Sequence, residues 1–330
     1  MLQEGITEAG ALSSFIALAT AYATWGRPMV PVYLFYSMFG FQRVGDLAWS
    51  LGDVRGRGIL AGCTAGRTTL LGEGLQHDDG QSPLLASANP AALVYDASFA
   101  YEVAVIMEEA IADILGPNPQ DRFWYLTLYN ETYPMPPLPE KDQDAIRLGI
   151  VDGLYRYADA PDVKGDLRAS LCFSGPMWSV AVEAQQILAD RYGVAADAWA
   201  VTSWGRLRTE ALDVERWNRL RPDGEARESH VTAALGHNTD PVVAITDYMR
   251  AVPDQVSRFV DRPYTSLGTD GFGRSDSRSA LRSYFEVNSP HLVVAVLQQL
   301  ALAGRIKPSL VTKAIRDLGL DPARTAPFRL

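Results

Sequence analysis

Short segments rich in β-branched and aromatic residues alternate along this chain with long amphipathic segments. Such alternation is typical of βαβ units, in which helices join the strands of a parallel sheet and cover its faces. The sequence therefore predicts a mainly parallel α/β fold. The predicted strands are residues 28–36, 58–61, 92–95, 123–128, 169–173, 198–202 and 242–246, and the first of them is expected to be buried. The predicted helices are residues 7–23, 41–51, 99–115, 178–192, 208–219, 278–285, 290–303 and 308–318.

A proline-rich stretch, Tyr133–Pro139, divides this pattern into two sets. Prolines lack the backbone donor and disfavour helical neighbours, so the stretch can be neither a helix nor an inner strand. A chain of 330 residues is long enough for two domains of ordinary size. We therefore expect two three-layer α/β/α domains with mainly parallel sheets, covering residues 1–140 and 166–330, with a linker at residues 141–165.

The composition argues against several classes of partner. A formal net charge of −9 disfavours nucleic acid, whose phosphates require clustered lysine and arginine. No apolar run reaches the roughly 18 residues that a membrane span needs, and no signal peptide is recognisable, so we expect a cytoplasmic protein. The two cysteines, Cys63 and Cys172, are far apart and suggest neither a disulfide framework nor a zinc site.

A glycine-rich run, Gly66–Gly80, follows the second predicted strand and has four glycines in fifteen residues. Glycines allow close approach of the backbone to a ligand, and ligands of open α/β sheets collect at the carboxyl ends of strands. Charged and proton-transferring side chains accompany these glycines, namely Arg67, Glu73, His77, Asp78 and Asp79. The run therefore predicts a ligand-holding loop, the alternative being a solvated surface loop.

The amino-acid sequences of this run and of seven other segments indicate a particular family more specifically than the number of glycines does. The segments are residues 3–11, 36–46, 66–80, 95–104, 129–136, 201–203, 215–218 and 267–278. In this order, over nearly the whole chain, they resemble the homodimeric-type pyruvate dehydrogenase E1 component, a thiamine diphosphate enzyme related to transketolase. The resemblance implies a pyrimidine-binding domain followed by a transketolase-type C-terminal domain.

The same resemblance implies a partner. In this superfamily one domain holds the aminopyrimidine of the cofactor, and another holds its diphosphate and Mg²⁺ through a Gly-Asp-Gly run followed by asparagines. That run is absent from this sequence, so no metal ligands are expected here and both groups are expected on a partner subunit. The family also has a strand and a helix before the segment that matches Leu2–Gly10. We expect a natural split rather than a fragment, with this chain as the β-like subunit of an α2β2 heterotetramer.

Four residues match the family's pyrimidine pocket. Glu8 matches the acid that hydrogen-bonds the pyrimidine ring and promotes formation of the reactive carbon. Tyr36 and Phe39 match aromatic residues that line the pocket, Phe39 by stacking, and Arg43 helps to hold it or positions a carboxylate. By residue type alone, Glu8 would be an ordinary first-turn glutamate, the aromatics would belong to the core, and Arg43 would form a salt bridge.

The glycine-rich run would provide the substrate side of the site. His77 matches the family's active-site histidine, and an imidazole suits proton transfer to a carbonyl oxygen or a lipoyl sulfur. Gln81 stands where the family has a histidine, which leaves one donor-recognition contact in doubt. The complete set expected in this loop is Arg67, Glu73, His77, Asp79 and Gln81.

Three functions remain open at this stage. The first is an E1-type enzyme that forms an enamine on the cofactor from a pyruvate-like 2-oxo acid and transfers the two-carbon unit to a lipoyl group. The second is a split hybrid that takes a glycolyl unit from a ketose phosphate and loads it on a lipoyl or acyl carrier protein in secondary metabolism. The third is a non-catalytic assembly subunit. Residues 63–67 replace the His-Asp-Ser run of transketolases, which disfavours a sugar-phosphate site, whereas Gln81 and the split favour a specialised relative.

Overall fold

Two β-sheets organise the chain, one on each side of the proline-rich stretch. In the computed structural model, which describes residues 1–70 and 73–329, the first sheet has strands β1 to β4 in the order β1-β2-β4-β3, all parallel. The strands are β1 (Val32–Tyr36), β2 (Gly58–Cys63), β3 (Ala92–Asp96) and β4 (Phe123–Leu128). The helices of this half are α1 (Glu8–Ala19), α2 (Ala21–Thr24), α3 (Gly40–Asp53), α4 (Ser82–Ser87) and α5 (Ala100–Leu115).

The first sheet is covered on both faces around β2. Successive residues of a strand point to opposite faces. Ile59 belongs to the apolar cluster formed with α5, whereas Leu60 belongs to the cluster formed with α1 and α3. Both side chains are almost fully buried. The predicted three-layer arrangement is confirmed here.

The second sheet has the order β5-β7-β6-β8-β9 and is parallel except for the pairing of β5 with β7. Leu171 and Cys172 of β6 point into different apolar clusters, so this sheet is also covered on both faces. Its strands are β5 (Leu154–Ala158), β6 (Arg168–Phe173), β7 (Ala195–Val201), β8 (Val242–Ile245) and β9 (Tyr264–Leu267). The helices are α6 (Gln143–Asp152), α7 (Trp178–Tyr192), α8 (Trp204–Arg219), α9 (His230–Leu235), α10 (Arg278–Tyr284), α11 (Ser289–Leu302) and α12 (Pro308–Asp317). Within residues 1–70 and 73–329, no helix is long and apolar enough to span a bilayer.

Several elements differ from the sequence-based assignment. The first helix was predicted over residues 7–23 but ends at Ala19, and a separate short helix follows Thr20. Part of the predicted linker forms α6 and β5, and β5 joins the second sheet. The strand β5 has two buried, one exposed and two half-buried residues, and the exposed residue is Arg156, so it lacks the continuous apolar run of the parallel strands. The helices α4 and α9 and the strand β9 are short and were not predicted. The domain bounds 1–140 and 166–330 stay predictions.

The strand β1 was predicted to be buried, and this prediction was wrong. It is an edge strand that pairs with β2 within the described part of the chain. Phe35 points toward α1 and α3, but Val32, Leu34 and Tyr36 on the opposite face are 49%, 62% and 46% exposed. The strand is apolar on both faces, as a central strand would be, yet one of its faces is uncovered.

A buried glutamate at the start of α5 ties the two halves together. One carboxylate oxygen of Glu102 accepts hydrogen bonds from the backbone N–H groups of Ser98 at 2.5 Å and Phe99 at 3.1 Å. The other oxygen accepts a bond from the Tyr155 hydroxyl of β5 at 2.6 Å. Burial raises the pKa of Glu102 to about 7. The residue therefore caps α5 and anchors β5 at the same time.

We expect Glu102→Ala to lower the free energy of unfolding by about 3 kcal/mol, because three buried donors lose their acceptor and each such loss costs about 1–3 kcal/mol before relaxation. Chemical denaturation measures the change. Glu102→Gln keeps one acceptor oxygen and should lose less than half as much. A loss below about 1 kcal/mol for Glu102→Ala would show that the anchor is dispensable.

The pKa of Glu102 also fixes the sign of a pH effect. The folded protein retains a proton that the unfolded chain releases above its ordinary pKa of 4.5. This group therefore lowers stability as the pH rises from about 4.5 to about 7. Glu102→Gln should remove that part of the pH dependence.

Candidate functional site

The predicted pyrimidine-side residues form one continuous cluster where α1, β1 and α3 meet. Glu8 is the first residue of α1, and the helix is capped by the Thr7 hydroxyl, which accepts a hydrogen bond from the Gly10 N–H at 3.2 Å. An Arg43 Nη atom lies 3.0 Å from Glu8 Oε1. The Arg43 guanidinium carbon lies 3.8 Å from the centroid of the Phe39 ring. One arginine thus connects the carboxylate to the aromatic part of the cluster.

Three rings form the aromatic part. Tyr36 ends β1, and Phe39 ends the single helical turn that follows it. Their ring centroids are 6.0 Å apart, and the His77 ring lies 5.2 Å from each of them. The glycine-rich loop therefore brings His77 to the end of β1, although about forty residues separate these parts of the chain.

The local structure of the loop orients the His77 ring. The ring belongs to a short 3₁₀ helix, Leu75–His77, and Nδ1 lies 3.2 Å from the Gly74 carbonyl oxygen and 3.6 Å from Glu73 Oε2. If Nδ1–H donates to that carbonyl, Nε2 of the neutral ring carries the free lone pair. If the ring becomes protonated, Glu73 is placed to stabilise the cation. His77 is thus arranged for proton transfer.

The cluster fits a flat nitrogen heterocycle. Tyr36 and Phe39 offer partly exposed ring surface, and the Glu8 side chain is 21% exposed, so its carboxyl group can reach a ligand. Arg43 occupies one face of Phe39, so a ring that stacks on that face must displace it. The arginine side chain is 50% exposed, and such a surface ion pair is worth less than about 1 kcal/mol, so its displacement costs little.

The substrate-side residues of the loop are placed differently. Arg67 is only 8% exposed, and its guanidinium donates to the Thr269 carbonyl oxygen and, at 3.1 Å, to Gln81 Oε1. Burial lowers the pKa of Arg67, and the charge of Asp79 opposes this effect. Asp79 is fully buried and accepts bonds from the N–H groups of Gln81 at 3.0 Å and Ser82 at 2.8 Å. Arg67 thus binds the loop to the second half, whereas Asp79 binds the end of the loop to the residues that follow it. The assignment of both groups to substrate contact stays a prediction.

Gln81 links the loop to the pyrimidine-side cluster. Its amide nitrogen donates to Gln42 Oε1 at 2.8 Å and lies 3.4 Å from the sulfur of Met38, while its oxygen accepts the bond from Arg67. The amide therefore supplies a donor to one neighbour and an acceptor to the other from one planar group. Gln42 and Met38 were not singled out in the sequence.

Sequence reasoning also missed Asp247, which lies two residues after the end of β8. It is fully buried, and its carboxylate accepts bonds from the Thr68 N–H at 3.1 Å and the Thr68 hydroxyl at 2.7 Å. Burial raises the pKa of Asp247 to about 7, although the charge of Arg282 acts in the opposite direction. The carboxyl-end rule for parallel strands was the one signal that could have identified it.

The described residues contain no group of three or more histidine, cysteine or acidic side chains arranged to hold a metal ion. The candidate site of this chain comprises the pyrimidine-side cluster and the loop that carries His77.

Solved structures with the same fold define the class. Transketolase from Leishmania mexicana superposes with a TM-score of 0.65 at 16% identity, over 89% of this chain and 37% of its own. A split gene transketolase, solved as an inactive beta4 tetramer, superposes with a TM-score of 0.63 at 18% identity, over 90% of this chain and 83% of its own. The protein therefore has a transketolase-like α/β fold.

Sequence comparison shows which proteins of this class the chain resembles. Residues 1–136 match the pyruvate dehydrogenase E1 component middle domain, and residues 153–288 match the transketolase-like TK C-terminal domain. The pyruvate dehydrogenase E1 component of Mycobacterium tuberculosis is 48% identical over 327 residues, which are 99% of this chain and 35% of that protein. The chain is therefore similar to pyruvate dehydrogenase E1 components over nearly its whole length, and it spans about a third of the length of the curated relatives that it matches.

Proposed function

We propose that this chain supplies one wall of the active site of a thiamine diphosphate-dependent, E1-type two-carbon transferase, with a pyruvate-like 2-oxo acid as donor and a lipoyl group as acceptor. The main support for this proposal is the continuous cluster in which Glu8 is connected through Arg43 and Phe39 to Tyr36 and His77. These are the residues that match the family's pyrimidine pocket and active-site histidine. A carboxyl group, stacking surface and a proton-transfer group within one cluster suit this cofactor.

The residues of the pyrimidine-side cluster would hold the cofactor's ring. When bound, thiamine diphosphate supplies a nucleophilic carbon for attack on the donor's carbonyl group. The Glu8 carboxyl group would hold a proton at a nitrogen of the pyrimidine ring, and Phe39 and Tyr36 would pack against that ring. Arg43 would move from the face of Phe39 and keep its attraction to the Glu8 carboxylate.

His77 would act on the substrate. Its Nε2 can accept a proton from, or deliver one to, the donor's carbonyl oxygen or the acceptor's sulfur. The Gly74 carbonyl oxygen fixes the ring's orientation, and Glu73 stabilises the protonated ring. Because His77 contacts Tyr36 and Phe39, proton transfer would occur beside the ring-binding surface.

A partner subunit would complete the site with the groups that bind diphosphate and Mg²⁺. The uncovered face of β1 supports this proposal, because Val32 and Leu34 are exposed beside Tyr36, a residue of the cluster. The exposed side chains of Met1, Leu2 and Ile6 add apolar surface in the segment that precedes Glu8. Contiguous exposed apolar surface of this kind marks interaction sites. We propose a cytoplasmic α2β2 assembly, with a lipoyl-bearing protein as the acceptor.

A second donor remains a specific alternative. Gln81, in the place of the family's histidine, is bonded to Gln42 and Arg67, so an amide stands four residues after His77 where the family has an imidazole. A hydroxyl-bearing donor such as a ketose phosphate would use an amide partner well. The unit transferred to a lipoyl or acyl carrier protein would then be glycolyl rather than acetyl.

Intact-mass measurement of the acceptor distinguishes the donors. The chain and its partner subunit are incubated with cofactor, acceptor and either pyruvate or a ketose phosphate. We expect an acetyl adduct from pyruvate, whereas a glycolyl adduct from the ketose phosphate alone would favour the second candidate. Absence of any adduct from an assembled pair that binds the cofactor would favour the non-catalytic assembly role.

A further inference from the structure

We propose that Asp247 is a positioning residue through which the C-terminal half of the chain holds the His77 loop in its working conformation. The inference rests on the proposed function for its effect on turnover, but the contact itself is independent of that function. Asp247 reaches Thr68 across 179 positions of sequence. The family resemblance assigns Asp247 no role in the site.

Residues near Asp247 hold the loop at both of its ends. At the first end, the Asp247 carboxylate accepts the two bonds from Thr68, and its backbone oxygen accepts a bond from the Arg67 N–H at 3.3 Å. At the second end, the Met249 N–H donates to the Gly80 carbonyl oxygen at 2.8 Å. His77 lies between these two attachment points.

The approach of Asp247 to the loop is unusually close. Gly66 has φ = +86°, and a Cβ atom at this position would lie 2.1 Å from Asp247 Oδ2. Only glycine therefore fits above the carboxylate, both for its backbone conformation and for the space available. The backbone oxygen of Asp247 also accepts a bond from the Thr269 hydroxyl at 2.9 Å, which fixes the acid from the side of the second half.

Asp247 cannot be a catalytic residue in this arrangement, because it is fully buried and its carboxylate is occupied by Thr68. It acts through the loop. Loss of the carboxylate frees the Thr68 end while leaving the Glu8, Phe39 and Arg43 contacts in place. We therefore infer a selective effect on His77 placement rather than on retention of the cofactor's ring.

We call the contacts of Asp247 and Met249 with the two ends of the loop the clamp. Hydrogen–deuterium exchange tests the clamp without requiring activity. In the full chain, Asp247→Ala should raise exchange of backbone amides in residues 66–81 by about tenfold, since a lost buried charge-assisted bond lowers the local opening free energy. Exchange in α7 should stay unchanged. Thr68→Val, which removes the hydroxyl donor alone, should give a smaller increase in the same peptide. Thr68→Ser keeps the hydroxyl and should behave like the unchanged chain.

Turnover of the assembled enzyme gives the second readout. Asp247→Ala should lower kcat by roughly tenfold while the KM for thiamine diphosphate changes less than about twofold, and Asp247→Asn should restore part of the loss. Uniform acceleration of exchange over the whole chain, or unchanged exchange in residues 66–81, would overturn the clamp. If Asp247→Ala fails to fold, the comparison of Thr68→Val with Thr68→Ser decides, again by exchange in residues 66–81. If the assembled pair shows no transfer activity, the proposed function fails while the exchange result still decides the clamp.

Discussion

Replacing Glu8 by alanine should lower two-carbon transfer by the assembled enzyme by about a thousandfold, because a positioned acid–base group contributes about 10²–10⁴ in rate. The substitution removes the carboxyl group at the start of α1, which Arg43 connects to the aromatic rings of the cluster. Steady-state turnover with saturating cofactor measures the change. Glu8→Gln should be nearly as inactive, since an amide cannot exchange a proton with the ring nitrogen.

The loss at Glu8 should be chemical rather than structural. Glu8 is partly exposed, and its contribution to helix stability is below about 1 kcal/mol, so the melting temperature should change little. Glu4, an exposed glutamate in the same segment, provides the matched control, and Glu4→Ala should retain full turnover. Retention of more than half of the activity by Glu8→Ala would refute the assignment.

The isolated chain should bind thiamine diphosphate and Mg²⁺ at least about 100-fold more weakly than the assembled pair, a difference of about 2.7 kcal/mol. The physical reason is that the cluster offers ring contacts and one partly exposed carboxyl group. The residues described in the structure contain no acidic or histidine group arranged for the metal. Titration calorimetry of the chain with and without its partner measures the difference. Tight binding of cofactor and metal by the chain alone would contradict the need for a partner.

The exposed face of β1 allows a matched test of where that partner binds. Leu34 is 62% exposed on this face, and Leu302 is 71% exposed at the end of α11 in the other half. Leu34→Lys should weaken both subunit association and cofactor binding by more than about tenfold, because a charge would be buried in an apolar contact. Leu302→Lys should change neither. Equal behaviour of the two variants would exclude β1 from the interface.

Long, strongly patterned elements could be predicted from the sequence. The bounds of β4 at Phe123–Leu128 and of α7 at Trp178–Tyr192 agree with prediction, because an uninterrupted apolar run and a long helical periodicity each leave little ambiguity. The exposed face of β1 could not be predicted, because the sequence pattern of an apolar strand is the same whether or not a neighbouring element covers it. The antiparallel edge strand β5 was missed because its central residue, Arg156, is exposed and interrupts a short apolar run.

The candidate site likewise contains residues that the sequence identified and residues that it did not. The resemblance identified Glu8, Tyr36, Phe39, Arg43 and His77, and the structure brings these side chains together in one cluster. Their catalytic and binding roles stay predictions. Asp247 was not found, because its partner Thr68 is 179 positions away and neither residue carries a local signal of the contact. Pairings of this kind depend on how two sheets meet, which local patterns do not encode.

The anchor formed by Glu102 has a thermodynamic consequence for the whole chain. Its acceptor oxygens serve α5 in one half and Tyr155 in the other, and one apolar cluster includes Ile59 and Trp124 of the first sheet together with Leu171 of the second. Unfolding the first half would leave the Tyr155 hydroxyl without this acceptor, and unfolding either half would expose part of the core of the other. We therefore expect the two halves to unfold as one cooperative unit.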